Sequence, residues 1–167
     1  EEVHESYYGE EIVSEQQSEF FHAAYGALNR IKHPNWRPYV PVPFAVRVEA
    51  YGISPAFNEL KPHLEGPNIR RWMRSGCRYI TPCDDYASHF VWAFRDAVAA
   101  AGYHRGLPRA KQFYLQIAQE INAACDSGKL SCNAHRNSML PVLRKELFVP
   151  WLRSLNESVT HLAAFRD

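Results

Sequence analysis

Four cysteines, Cys77, Cys83, Cys125 and Cys132, are all that the chain contains, and they sit as two close pairs on either side of one long helical stretch. Everything else must fold around that arrangement. Between the pairs, Phe90, Val91, Phe94, Val98 and Ala101 recur at helical spacing, and so do Phe113, Ile117, Ile121 and Ala124. Gly102 to Leu107 is a short connection, which predicts an antiparallel helix hairpin over about 81–101 and 108–127. Thr81 before Pro82 reads as an N-cap with proline in the first turn, with Asp84 and Asp85 at the positive end of the helix. Gly102 reads as its stop, and the alanines at 97 and 99–101 leave room for a close helix approach.

An antiparallel hairpin brings Cys83 and Cys125 to the same end. Two local bridges, Cys77–Cys83 and Cys125–Cys132, are the simplest pairing, each contributing about 2 kcal/mol in the chain-entropy model. A crossed pairing such as Cys83–Cys125 stays open, because spacing does not fix connectivity. Free thiols and a zinc site with His135 are the competing readings. The C-x5-C and C-x6-C spacings are wider than the C-x2-4-C of most structural zinc sites, which favours disulfides and an oxidising compartment.

A chain of 167 residues with 46% hydrophobic and 13% aromatic content can bury a real core. The expected organisation is an acidic, disordered lead-in over 1–12 and a single helical domain over 13–167. The net charge of +1 gives no general case for a nucleic-acid partner. No run of apolar residues reaches the roughly 18 that would span a bilayer. The chain opens on Glu1 without a leader-like stretch, so the expectation is a processed or excised piece whose targeting or membrane segment lies outside it.

Upstream of the hairpin, a helix is expected from about Val13, capped by Ser14, with Phe20, Phe21, Ala24, Tyr25, Leu28 and Ile31 inward and His33-Pro34 as its end. Four prolines between Pro34 and Pro43 exclude a helix or a central strand. That segment is expected to run extended over the bundle with Trp36 and Tyr39 packed down. A polyproline-type recognition ligand is the alternative. Phe44–Tyr51 predicts a short helix, Ser54-Pro55 a cap for the next, and Pro62 and Gly66-Pro67 interruptions. Asn68–Arg74 adds a further turn or two, and Pro141 to Phe165 an amphipathic helix with Pro150 as a kink.

Arg70, Arg71, Arg74 and Arg78 form the densest basic group. They read either as a solvated face balancing the acidic start or as a patch for an acidic partner or lipid headgroups. His89 and Asp96 lie two helical turns apart with Arg95 nearby. An acid–base role there needs a third partner that the sequence does not name. No catalytic, phosphate-binding or cofactor motif is present, and no cofactor is expected.

Several stretches resemble an uncharacterised extracytoplasmic domain of bacterial multi-pass membrane proteins. They are Ala24–Leu28, Pro41–Pro43, Tyr51–Phe57, Phe90–Val98 and Ala118–Asp126, which together cover roughly 20–140. The resemblance implies a segment held outside the cytoplasm between membrane spans, with the membrane-embedded part of the same chain as its first partner. It carries no catalytic residues. The function expected is therefore a non-enzymatic extracytoplasmic domain with a structural or ligand- or protein-binding role in the envelope. The alternatives are an enzyme or accessory domain of an envelope-modifying enzyme, and a cytosolic zinc-stabilised interaction module.

Overall fold

The structure, a computed structural model, describes residues 14–67, 70–140 and 145–164. The acidic lead-in over 1–12 lies outside the described residues, as do 141–144 and Phe165 at the two ends of the expected C-terminal helix. The described residues are helical, without a strand: α1 Glu19–Arg30, α2 Phe44–Ile53, α3 Pro55–Glu59, α4 Lys61–Leu64, α5 Arg70–Gly76, α6 Phe90–Ala100, α7 Leu107–Asp126 and α8 Lys145–Ala164. The expected all-α fold, stapled by disulfides, is what the chain adopts.

Among the described residues, the most extensive helix packing is that of α1 on α7. Phe20 of α1 stacks on Tyr114 near the start of α7, at 5.8 Å between ring centroids. At the other end, Arg30 donates to Asn122 at 2.9 Å and to Asp126 at 2.5 Å. The two helices therefore run parallel. Small residues let them approach: Ala24 and Ala27 on α1, Ala110 and Ala118 on α7, all buried.

Helix α6 runs the opposite way. Its Phe94 meets Phe21 at 5.6 Å, and its Phe90 meets Tyr25 at 5.8 Å. The antiparallel sense expected of α6 and α7 thus holds, and Phe94 meets Tyr114 edge-on at 5.4 Å. The rings also act as spacers, so the closest backbone packing of α7 goes to α1 and not to its hairpin partner. Gly102, at φ +86°, ends α6: its N–H donates to Ala99 and the Tyr103 N–H to Val98. That pairing satisfies carbonyls the helix would otherwise leave open.

The start of α6 corrects the sequence reading. Thr81 and Pro82 do not cap it. The helix begins at Phe90, after a single 3-10 turn over Ala87–His89. The reason is Asp85, which is buried and accepts from the backbone N–H groups of Phe44 and Tyr86, each at 2.8 Å. A residue held this way cannot face solvent in a first helical turn. Asp84 instead pairs with Arg37 at 2.7 Å.

A similar correction applies to α1. Ser14 precedes a separate turn, Glu15–Gln17, and the cap is Ser18, whose hydroxyl accepts from Phe21 N–H at 3.3 Å. Glu15 is then placed to accept from Arg95 Nε at 3.1 Å, and it lies 2.8 Å from His104 Nε2. The chain leaves the helix at Ile31, before the expected stop, because Ile31 pairs as an isolated bridge with Cys132.

In the proline segment, Val40, Val42 and Pro43 are packed down. Tyr39, expected inward, is 68% exposed at a positive φ of 65°. Trp36 is half-buried. Ser54 caps α3 as expected, accepting from Phe57 N–H at 2.9 Å, and itself donates to Glu120 of α7 at 2.5 Å. Glu120 also accepts from Ala56 N–H at 3.1 Å, so one carboxylate fastens α3 to α7. The chain breaks between α3 and α4 just ahead of Pro62.

Cys77 is bonded to Cys83 and Cys125 to Cys132, with Cα separations of 4.7 and 5.5 Å. The simplest pairing is the one formed. Helix α8 runs through Pro150, and its described side chains are all exposed, Phe148, Trp151, Leu152 and Leu155 among them. No helix among the described residues is long and apolar enough to cross a membrane.

Candidate functional site

The arginine group stands at the junction of α5 and α6. Arg71 ion-pairs with Asp96 and lies over the Trp72 ring at 5.0 Å. Arg74 and Arg78 are exposed and have no carboxylate partner among the described residues. The side chain of Arg70 lies outside the described residues. Arg71 is committed to Asp96, and Arg74 and Arg78 are left for solvent or a ligand.

Beside the Arg71–Asp96 pair lies a row of rings that the sequence did not reveal as a unit. Trp72 stacks on His89 at 6.1 Å and 27°, and on Trp92 at 6.2 Å and 17°. Tyr79 leans on His89 at 5.7 Å. The order is Tyr79, His89, Trp72, Trp92. The middle rings are half-buried, while Tyr79 and Trp92 at the ends are 57% and 46% exposed.

The row draws on α5, the cysteine loop, the 3-10 turn and α6. His89 closes the 3-10 turn, and Trp92 and Asp96 follow it on α6, three and seven residues on, along one face. On α5, Trp72 comes from the side turned toward it. Trp72 Nε1 donates to Asp96 Oδ2 at 2.8 Å, which fixes the plane of the indole. Arg95 adds a second guanidinium, 3.7 Å from Asp96.

The His89–Asp96 pairing weighed as acid–base machinery thus has a different basis. Asp96 holds Trp72 and Arg71, and His89 contributes a ring between Trp72 and Tyr79. The buried Nδ1 of His89 meets no hydrogen-bond partner among the described residues.

The Cys77–Cys83 bond closes the short loop that carries Arg78 and Tyr79. Gly76, at the end of α5, is required by close packing: a Cβ there would lie 2.5 Å from the carbonyl oxygen of Tyr86. The α5 terminus is thereby pressed against the turn that leads into α6, and the row's two halves are held together. A sequence signal existed in the clustering of Trp72, Tyr79, His89 and Trp92 around the arginines. It was not decisive, because Trp72 also fits an ordinary apolar helix face.

All four sulfurs are committed to disulfides, and among the described residues no group of three or more His, Cys, Asp or Glu side chains could hold a metal ion. Disulfides of this kind form and persist in oxidising compartments. No family model, curated protein or solved structure matches the chain.

Proposed function

We propose that this chain is a non-enzymatic recognition domain held outside the cytoplasm as part of a bacterial membrane protein, where it binds an envelope ligand or protein. The observation that carries the reading is the aromatic row, fixed by the Trp72–Asp96 hydrogen bond and exposed at its ends, Tyr79 and Trp92. Exposed aromatic side chains held in fixed planes, with charged groups at their rim, supply binding area at little entropic loss. The carboxylate nearest the row is engaged in holding Trp72, which suits binding better than proton transfer.

Two further observations support the location. The disulfides suit an oxidising envelope. The exposed Phe148, Trp151, Leu152 and Leu155 of α8 form an apolar stripe of the kind that rests on a membrane interface or on the membrane-embedded part of the same chain.

Protease accessibility of the full-length protein in spheroplasts tests the reading. Digestion of this domain in unlysed spheroplasts is the expected result. Protection until the inner membrane is broken would overturn it.

A further inference from the structure

We infer that α8 is a pairing surface for a second copy of this chain, whose own α8 packs antiparallel against it along the seam Phe148, Leu152, Leu155 and Val159. The inference goes beyond the recognition reading above and gives the exposed stripe of α8 a protein occupant.

The seam comes first. Phe148, Leu152, Leu155 and Val159 fall four, three and four residues apart. That is the 3.5-residue repeat by which two helices stay in contact along their length. Val149 and Trp151 flank it, and Asn156 and Ser158 take the same flanking places one heptad on, so no charge stands on the seam or beside it over 148–159. Arg153 and Glu157 fall on the outer side and pair with each other at 3.2 Å. Every described side chain of α8 is exposed. Helices in proteins draw most of their stability from packing an apolar face, so this one is incomplete without a partner.

The identity of the partner comes second, because the seam complements itself. A twofold axis between Arg153 and Ser154 sets Phe148 against Val159 of the copy, and Leu152 against Leu155 of the copy. All four layers are then apolar, with a large ring opposite a small side chain or leucine opposite leucine. A parallel pair would stack Phe148 on Phe148 and put the lysine at 145, one heptad before Leu152, in register with itself. The exposed parts of Phe148, Trp151, Leu152, Leu155 and Val159 on two copies come to on the order of 1,000 Å², about the least that a specific pair uses. Association should therefore depend on concentration.

A lipid surface would cover the same side chains. Helices that lie on anionic membranes carry an excess of lysine and arginine on the polar face. Here Lys145 and Arg153 are matched by Glu146 and Glu157, which favours a protein. The location proposed above does not turn on this choice, since the disulfides carry it.

The test is sedimentation velocity of the oxidised chain across the micromolar range. Three proteins are compared: the natural chain, the double variant Leu152→Glu/Leu155→Glu, and Glu157→Gln as a control on the outer side. Near-ultraviolet circular dichroism first checks that the core of each is intact. Flotation with phosphatidylcholine and phosphatidylglycerol vesicles reads the lipid alternative. Nitroxide labels on Thr160→Cys read the orientation.

The expected result is a monomer–dimer equilibrium in the natural chain and in Glu157→Gln, weakened about tenfold or more by the two glutamates. The labels should lie roughly 20 Å or more apart, from the rise of the helix between 147 and 160. A natural chain that stays monomeric would overturn the proposal, and so would a dimer that the two glutamates leave unchanged. A monomer that floats with vesicles through these leucines would replace the second copy with a membrane. Labels side by side would overturn the antiparallel pairing.

Discussion

Arg47 Nη1 donates to Asp85 Oδ1 at 2.7 Å, and the two side chains are 1% and 2% exposed. The pair joins α2 to the segment that leads into α6. Glu65 completes it, accepting from Arg47 Nε at 2.8 Å and from the Tyr51 hydroxyl at 2.7 Å. The guanidinium lies over the Tyr86 ring at 4.7 Å. Burial works against the charge of Arg47, but Glu65 and Asp85 more than offset it, so the group stays protonated.

Removing one partner of such a pair strands the other. Asp85→Ala should destabilise the fold by about 3–5 kcal/mol, because it leaves a buried guanidinium short of a counter-charge and frees two backbone donors. Arg47→Met should be milder, since Asp85 keeps the N–H groups of Phe44 and Tyr86. Urea unfolding of both variants checks the order. A smaller loss for Asp85→Ala than for Arg47→Met would show that the network is misread.

Tyr25, Tyr51, Tyr86 and Tyr114 set the alkaline limit. Burial raises each phenol, and nearby Glu65 or Glu15 adds to the rise at Tyr51 and Tyr114. In the unfolded chain they ionise near the ordinary value of about 10. Above that pH the unfolded state loses protons that the folded state keeps, so stability falls as pH rises. It should hold constant from neutral pH up to about 10 and decline beyond. Absorbance of tyrosinate followed alongside circular dichroism should show these phenols ionising only as the helices melt. Ionisation of most of them before any loss of helix would contradict the burial.

Gly26 faces the loop that follows the second disulfide. A Cβ there would sit 2.5 Å from the Arg136 carbonyl oxygen and 2.9 Å from Ser138 N, both backbone atoms that cannot swing away. Gly26→Ala should therefore destabilise by about 1–3 kcal/mol, although alanine is the better helix former. Faster amide exchange over 133–140 would accompany it. A variant as stable as the parent would mean the loop does not lie on α1.

The two disulfides should separate in their effects. Replacing Cys77 and Cys83 by serine removes about 2 kcal/mol and loosens the loop that carries Tyr79, so amide exchange over 77–83 should speed up. Replacing Cys125 and Cys132 removes a similar amount but frees the segment bridged to Ile31. Calorimetry and amide exchange on the two double variants read the difference. Exchange over 77–83 that rises equally in both would show that the first bond does not hold this loop.

The helices themselves were legible because apolar spacing and local breakers set them. Phe44–Ile53, the cap at Ser54 and the long α7 follow from neighbours in sequence. What escaped depends on distant partners. Nothing near Asp85 announces that Arg47 will claim it, so Thr81-Pro82-Cys83-Asp84-Asp85 reads as a helix start. Ser14 and Ser18 are both good caps, and only the contacts of Glu15 with Arg95 and His104 decide between them. The pairing of α1 with α7 is invisible because their sequence separation is large and the α6 rings hold the nearer helix off. The aromatic row was missed for the same reason: it joins Trp72 and Tyr79 to His89 and Trp92 across a cysteine loop whose path local pattern does not give.

The most direct measurement is the thiol state of the full-length protein taken from intact cells. Cells are quenched with an alkylating reagent, and peptides are mapped by mass before and after reduction. An oxidised, extracytoplasmic domain predicts no alkylation before reduction and peptides linked as Cys77–Cys83 and Cys125–Cys132. Any of these thiols alkylated in the native protein, or zinc copurifying with them, would contradict it.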